Sequence, residues 1–261
     1  MTTLDFITEL FCRIDEAMSD LPKHPQARLW PSELVTLGML FALKGVGERA
    51  FYRWLTRDYR PCFPHLPERT RLFRLFKAHR AWTQRFLAEP SLLGVADTYG
   101  IELLHPRREG RSPAQLGNKG LSNWRWIVGA KVGFVLNHLG LVCAWDCNLA
   151  SVADTDFRHL VAHFAEEMVV LVDSAFHGHV GDPANMKVCK RGTWNTRMLI
   201  ETVLSMLTTV CHLKKIAHHQ ADYFRAHLAF IWSAFNVLVQ WHGFKPDETG
   251  MVHLSLAEFS L

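Results

Sequence analysis

Two short apolar runs of this chain each lead directly into an aspartate. Residues 92–96 precede Asp97, and the fully apolar run 168–172 precedes Asp173. Apolar runs of about four to eight residues are typical of buried strands, because helices need about ten residues or more. Helical patterns follow the second run, so the order of strands and helices predicts a mixed α/β domain built in layers.

The region from residue 91 onward contains further strand and helix patterns. Residues 126–136 and 141–148 have the composition of strands, and the hairpin turn between them contains Gly140, which can adopt a positive φ. Periodicity predicts the remaining elements, which are helices over 153–167, 195–215 and 223–241 and a short strand over 186–189. No long linker or repeat interrupts this region, so we predict one domain over residues 91–261.

The first ninety residues have a different pattern, in which helical periodicity is interrupted by loops that contain proline. The predicted helices cover 4–18, 32–44, 48–59 and 68–88. Pro31 lies at the first turn of the second helix, where its missing N–H costs no hydrogen bond. We therefore predict a small all-helical domain over residues 1–90.

Basic side chains are concentrated in the second half of this helical region. Residues 49–85 contain ten lysines and arginines against two acids, whereas the formal net charge of the whole chain is +4. Three of the arginines recur every four residues, so they line one helix face whose other side carries apolar residues. Such arginines suit phosphate groups, and a solvated surface is the alternative. The residues that we predict to contact DNA are Arg49, Arg53, Arg57, Arg71 and Arg74.

Composition excludes several classes of protein. With 49% hydrophobic and 21% charged residues, the chain of 261 residues can bury a substantial core and is not predicted to be disordered. No basic segment followed by an apolar one begins the chain, and the longest apolar run, 228–241, is shorter than the ~20 residues that span a bilayer. The six cysteines form no Cys-x-x-Cys pair. We expect a globular, cytoplasmic protein without a membrane partner, disulfide framework or zinc ribbon.

Three acids stand in places where an unpaired carboxylate is costly. Asp97 and Asp173 follow apolar strands, and Glu201 interrupts the apolar helical run 198–204. Two carboxylates from strands and one from a later helix can hold two divalent ions about 3.5–4 Å apart, an arrangement that cleaves phosphodiesters. Each acid also has a structural explanation, because either aspartate could cap the turn after its strand and Glu201 could pair with Arg197. The three together, downstream of a basic helical region, favour a metal site.

The two aspartate motifs resemble those of the DDE transposases of bacterial insertion sequences. Val95-Ala96-Asp97-Thr98 is similar to the family's first motif, and Leu171-Val172-Asp173-Ser174-Ala175-Phe176 is similar to its second. The segment 126–132 resembles the family's second strand, and 151–154 resembles its turn into a helix, where Asp154 is a candidate cap. The likeness covers most of the chain. It implies an α/β fold with a ribonuclease-H-like mixed sheet flanked by helices, preceded by the small all-helical domain.

The third acid lies in the most specific part of the likeness. In one branch of the family, a tyrosine is followed after two residues by an arginine, after three more by a glutamate and after six more by a lysine. Arg197 and Glu201 match this signature, Trp194 replaces the tyrosine with another ring that can stack on a base, and Thr208 replaces the lysine. Glu201 follows Asp173 by only 28 positions, so the likeness implies a catalytic domain without a large insertion.

The resemblance implies a DNA transposase that cleaves at transposon ends and joins the 3′-hydroxyl to a target. Asp97, Asp173 and Glu201 would be the catalytic and metal-binding residues, and the cofactor would be two Mg²⁺ ions, for which Mn²⁺ substitutes. The partners would be transposon-end and target DNA and a second copy of the chain, as a homodimer on DNA in the bacterial nucleoid. The residues near the third acid that the resemblance places against DNA are Arg197, Trp194, Lys190 and Arg191.

Two alternative functions share parts of this pattern. A metal-dependent nuclease of the same fold would use the same acids without joining ends, and a catalytically inactive relative would only bind DNA. Histidines are frequent, but the segment His177-Gly178-His179 and the downstream Cys189 lack the spacing of a zinc site. We interpret His177 instead as a polar neighbour of the predicted site that can assist proton transfer.

Overall fold

The computed structural model describes most of the chain as two compact units. The described residues are 1–111, 117–122, 125–178, 180–189, 196–216, 218, 220–244, 248, 256–259 and 261, with the backbone alone at 196, 197 and 257. The helical unit contains Met1–Phe86, Leu207–Ala217 and Asp222–Leu261, and the sheet unit contains Leu87–Met206 and His218–Ala221. The domain division at residue 90 stays a prediction, because a compact unit is not thereby shown to fold alone.

Seven α-helices lie in the described part of the chain. They are α1 (Thr3–Ala17), α2 (Pro31–Lys44), α3 (Glu48–Asp58), α4 (Arg69–Ala78), α5 (Arg158–Ala162), α6 (Thr196–Thr209) and α7 (Ala221–His242). Short 3₁₀ segments follow α3 at Arg60–Cys62 and α4 at Arg80–Phe86. None of these helices is both long enough and apolar enough to cross a lipid bilayer.

Two helices form the core of the helical unit. Every residue of α2 from Pro31 to Leu43 is buried except Glu33, and fifteen residues of α7 are buried. Gly38 lies where the two helices meet, because a Cβ at this position would overlap the ring of Phe230. Glycine therefore permits the close approach of α2 and α7.

Buried polar groups of α7 hold the segment that follows α4. Ser233 Oγ donates a hydrogen bond to the carbonyl of Thr83, and Asn236 Nδ2 donates one to the carbonyl of Phe86, each at 2.9 Å. These two carbonyls thus accept hydrogen bonds from side chains of α7. They do not need the backbone N–H four residues later that an α-helix would provide. The single helix predicted over 68–88 is consequently wrong in its second half, which is 3₁₀.

Six strands form one mixed sheet in the other unit. Their bounds are β1 Leu93–Leu104, β2 Asn118–Ser122, β3 Arg125–Asn137, β4 Val142–Leu149, β5 Val169–Val172 and β6 Met186–Val188. β3 pairs antiparallel with β1 on one edge and with β2 and β4 on the other, whereas β5 lies parallel to both β1 and β6. The prediction of a mixed α/β fold is confirmed, and the predicted hairpin turn has Gly140 at φ +77°. The short β2 has no counterpart in the sequence prediction.

One face of the sheet is covered by α5 and by the 3₁₀ turn Asp154–Phe157 before it. The strands contribute Ala96, Val170 and Val172 to this core, against Phe157 and Leu160 from the covering segment. A Cβ on Gly133 of β3 would overlap the Phe157 ring, so the glycine provides the space that the ring occupies.

The covering helix is shorter than the sequence predicts. The helix predicted over 153–167 is wrong in length, because a 3₁₀ turn begins it and α5 ends at Ala162. Asn185 Nδ2 donates hydrogen bonds of 2.9 Å to the carbonyls of Val161 and Met168. A side chain from a distant part of the sequence therefore binds the carbonyl of Val161, which a longer helix would have paired with an N–H of its own.

The close approach of β3 and β1 at Gly129 makes a testable prediction about stability. A Cβ on Gly129 would overlap the carbonyl oxygen of Ile101, which belongs to the paired backbone of β1. Gly129→Ala should lower the free energy of unfolding by about 1–3 kcal/mol, as overpacking does, measured by urea denaturation. Leu92→Ala is the control, since Leu92 is 89% exposed and should change stability by less than about 0.5 kcal/mol. Equal effects of the two variants would contradict the close approach.

Candidate carboxylate site

Asp97 lies inside β1, beside the end of β5. The last parallel pair joins Val95 to Leu171, whereas antiparallel pairing with β3 continues along β1 as far as Leu104. The prediction that Asp97 ends a short strand is therefore wrong. β1 continues because β3 is long enough to pair with all of it, and the element that ends next to Asp97 is β5.

Asp173 is the first residue after β5. Its backbone is still extended, with φ −80° and ψ 175°. The register that pairs Val95 with Leu171 therefore places Asp173 beside Asp97, two residues further along each chain. Neighbouring strands lie about 4.8 Å apart, and matched positions of parallel strands face the same side of the sheet. Extended two residues past its last pair, this register assigns the two predicted site residues to matched positions on one face of the sheet.

Each of the two aspartates has one carboxylate oxygen oriented by a backbone N–H. Thr98 N donates to Asp97 Oδ1 at 2.7 Å, and Ala175 N donates to Asp173 Oδ1 at 2.9 Å. Asp173 thereby caps the 3₁₀ turn Ser174–Phe176, which is the structural role that its sequence position also allows. A carboxylate has two oxygens and several lone pairs, so one such hydrogen bond is compatible with cation binding.

Glu201 is not gathered with the two aspartates. It lies on α6 with its side chain exposed, while Ile200, Val203 and Leu207 bury the apolar face of that helix. The expectation of a carboxylate in apolar surroundings is therefore wrong for Glu201. Throughout the part of the chain that the structure describes, no three or more His, Cys, Asp or Glu side chains form a group that could hold a metal ion.

The other predicted contacts near Glu201 fall largely outside the described residues. Trp194, Lys190 and Arg191 are not among them, and Arg197 is described only by its backbone in α6. The pairing of Arg197 with Glu201 that the sequence analysis considered therefore also lies outside the described side chains.

An ion pair that the sequence analysis missed supports β1 from the face opposite Asp97. Lys131 Nζ donates to Asp154 Oδ1 at 2.8 Å, and Thr98 Oγ1 donates to the same oxygen at 2.9 Å. Only 12% of the Lys131 side chain and 21% of the Asp154 side chain are exposed. Asp154 is therefore not the predicted helix cap, since Ala153 occupies the N-cap position. A lysine in an otherwise apolar strand pattern was the available signal, because a buried ammonium needs an acid.

A second polar cluster follows Asp173 in the chain. Asp182 accepts hydrogen bonds from Gly178 N at 3.1 Å and from Arg158 Nη1 at 2.7 Å, and its other oxygen lies 2.5 Å from His177 Nδ1. The backbone N–H of Gly178, together with His177 and Arg158, lowers the pKa of Asp182 to about 2. The carboxylate is therefore ionised at neutral pH, and it ties the loop after Asp173 to Arg158, at the start of α5.

The arginines predicted on the helical unit lie at its surface. The arginines that recur every four residues occupy one face of α3, and apolar residues occupy the other. On that other face, Phe51 and Leu55 are fully buried. The predicted DNA-contacting residues that the structure shows to be exposed are Arg49, Arg53, Arg57, Arg71 and Arg74.

An aromatic side chain lies within the arginine stripe of α3. Arg53, Trp54 and Arg57 line an open depression of about 420 Å³. The Lys44 ammonium lies 4.9 Å from the centre of the Trp54 ring, and Arg57 forms an ion pair of 2.6 Å with Asp58. This surface therefore combines cations with a ring on which a base or sugar can stack.

Comparison of the chain with models of protein families, with curated proteins and with solved structures finds no match.

The Lys131–Asp154 pair makes a prediction about stability. Lys131→Met should lower the free energy of unfolding by about 1–3 kcal/mol, because it leaves the partly buried Asp154 without its counter-charge. Lys131→Met combined with Asp154→Leu should cost less than the sum of the single changes, as measured in a double-mutant cycle. Arg125→Gln is the control, since the Arg125–Glu102 pair is exposed and should contribute less than about 1 kcal/mol. Additive effects at Lys131 and Asp154 would contradict the coupling.

The lowered pKa of Asp182 makes a prediction about pH. Because the folded pKa, about 2, lies below the ordinary value near 3.8, the ionised carboxylate stabilises the fold above pH 4. That stabilisation should be lost as the pH falls from about 4 towards 2. The difference in unfolding free energy between the wild type and Asp182→Asn, measured by urea denaturation, should thus be greatest near pH 5 and shrink towards pH 2.5. A difference that does not change over this range would contradict the assignment.

Proposed function

We propose that this protein is a DNA transposase of the DDE type, which cleaves DNA at the ends of a mobile element and joins them to a target. The observation that carries the proposal is the register of β1 and β5, which, extended two residues beyond its last pair, assigns Asp97 and Asp173 to matched positions. Carboxylate oxygens are the ligands that hard divalent cations prefer. Paired carboxylates of this kind serve metal-dependent phosphoryl transfer.

The order of strands supports a ribonuclease-H-like identity for the sheet. β4, β3 and β1 form an antiparallel series, and β5 and β6 extend the sheet parallel to β1. The proposed fold needs its first aspartate on a central strand and its second at the end of a parallel neighbour. Asp97 and Asp173 occupy such positions, and α5 covers one face of the sheet next to them.

The proposed cofactor is Mg²⁺, two ions in each site, with Mn²⁺ as a substitute. Both are hard cations that prefer carboxylate oxygens, and the adjacent Asp97 and Asp173 provide such donors. These two residues would hold the metal. The sequence signature assigns Glu201 as the third ligand, whereas the described residues do not gather it with the two aspartates. Divalent ions bound there would activate a water or a 3′-hydroxyl and stabilise the leaving oxygen.

The chain itself orients the carboxylates. The N–H groups of Thr98 and Ala175 each hold one oxygen of the neighbouring aspartate. Thr98 is fixed in turn by Asp154 and Lys131 on the opposite face of β1. Side chains that are oriented before substrate binds lose less conformational freedom when the substrate arrives.

DNA is the proposed partner, both as transposon ends and as target. The exposed arginines of α3 and α4 suit the phosphate backbone, whose contacts supply affinity that falls as salt is added. Trp194, Lys190, Arg191 and Arg197 are the proposed contacts near the cleaved strand. A homodimer on DNA, in the cytoplasm and nucleoid of a bacterium, completes the proposal.

A transposition assay tests the proposal. A plasmid carries a selectable marker between the DNA segments that flank the gene naturally, the protein is supplied in trans, and new junctions are sequenced. The wild type should produce junctions, whereas Asp97→Asn and Asp173→Asn should lower their number by about 10³-fold or more, because each loses a proposed metal ligand. Binding of the flanking DNA in a gel-shift assay should remain within about twofold.

Asp156→Asn is the matched control, because Asp156 is an exposed aspartate away from the carboxylate pair and this variant should retain activity. Cleavage without joining by the wild type would favour a metal-dependent nuclease of the same fold. DNA binding without cleavage would favour an inactive relative. An aspartate variant that still cleaves at the wild-type rate would overturn the site.

A further inference from the structure

The loop after β5 presents a histidine whose ring is oriented by an acid. Asp173 begins the 3₁₀ turn Ser174–Phe176, and His177 ends it, so the two residues flank a single turn. His177 Nδ1 lies 2.5 Å from Asp182 Oδ2, while 61% of the His177 side chain is exposed. One ring nitrogen is therefore engaged by the protein, and the ring as a whole is accessible to a ligand.

The acid that orients the ring is itself held in place by two donors. Arg158 Nη1 and the N–H of Gly178 both reach Asp182 Oδ1, which leaves Oδ2 for the imidazole. Arg158 also donates to the carbonyls of Thr155 and Val180, which fixes the guanidinium. Among the described residues, the charged groups recorded against the imidazole are thus Asp182 and, through it, Arg158.

The orientation of the ring determines which nitrogen can accept a proton. An ionised carboxylate beside Nδ1 favours the tautomer that carries its proton on Nδ1, because that proton makes the hydrogen bond. Nε2 then carries the lone pair. An acid that orients a histidine in this way is the arrangement by which imidazoles act as general bases.

We propose that His177 Nε2 accepts the proton of the nucleophile during cleavage and joining, with Asp182 and Arg158 as positioning residues. In cleavage, the water oxygen forms a bond to phosphorus and its proton passes to Nε2. The bond between phosphorus and the 3′ oxygen breaks, and the leaving oxygen keeps the electron pair and takes a proton from solvent. In joining, the 3′-hydroxyl replaces water. This inference rests on the proposed function.

The first test measures the ring itself and needs neither metal nor DNA. Long-range ¹H–¹⁵N spectra of the ¹⁵N-labelled full chain distinguish the two imidazole tautomers, and His177→Gln assigns the signal. The expected result is a proton on Nδ1 in the wild type, and a shift towards the other tautomer in Asp182→Asn. A wild-type ring with its proton on Nε2 would overturn the proposal.

The second test measures cleavage of the marker plasmid as a function of pH. His177→Gln should lower the rate by about 10²-fold, because it removes a general base, and should abolish the fall in rate on the acidic side of the profile. Asp182→Asn should have a smaller effect of the same kind. His159→Gln is the matched control, since its Nε2 lies 3.3 Å from Asp146 and 54% of its side chain is exposed. It should keep the wild-type rate and profile.

The outcomes separate this inference from the function on which it rests. Cleavage that is lost in Asp173→Asn and unchanged in both rate and pH profile in His177→Gln would overturn the role of His177 alone. Absence of cleavage by the wild type would overturn the proposed function, and the role of His177 with it.

Discussion

The unequal pairing of β1 on its two edges is the constraint on which the candidate site depends. On one edge β3 accompanies β1 to Leu104, while on the other β5 ends beside Asp97. Where a strand loses a neighbour, its residues become accessible without losing the rigidity that the remaining partner provides. Asp97 is therefore held by a sheet and is still only half-buried. The same edge receives Asp173, because β5 ends there.

Polar clusters on both sides of this edge limit the movement of the carboxylates. Lys131 and Asp154 hold Thr98 on one face of β1, and Arg158 and Asp182 hold the loop after β5. Both clusters connect a strand or its loop to the covering segment around α5, so the helix that buries the core also orients the site.

Local sequence patterns correctly predicted those elements whose backbone hydrogen bonds form within the element itself or with the next element along the chain. The four-residue spacing of arginines on α3, the apolar run of β5 and the glycine turn between β3 and β4 are examples. The prediction of element bounds failed where side chains or strands from distant parts of the sequence supply the hydrogen-bond partners of the backbone. Asn185 shortens the helix after residue 153, α7 alters the end of the helix predicted over 68–88, and β3 lengthens β1 beyond Asp97.

The residue types of the site follow from the sequence, since two apolar runs that lead into aspartates indicate where acids meet a sheet. Their adjacency is a property of tertiary structure, because strand register is set by pairing between segments more than seventy residues apart. Tertiary structure also decided that Glu201 is exposed on α6 and that Asp154 pairs with Lys131. The spacing of residues in the sequence determines which side chains share one face of a helix or strand. The side chains that pack against that face come from another part of the chain, so only the tertiary structure identifies them.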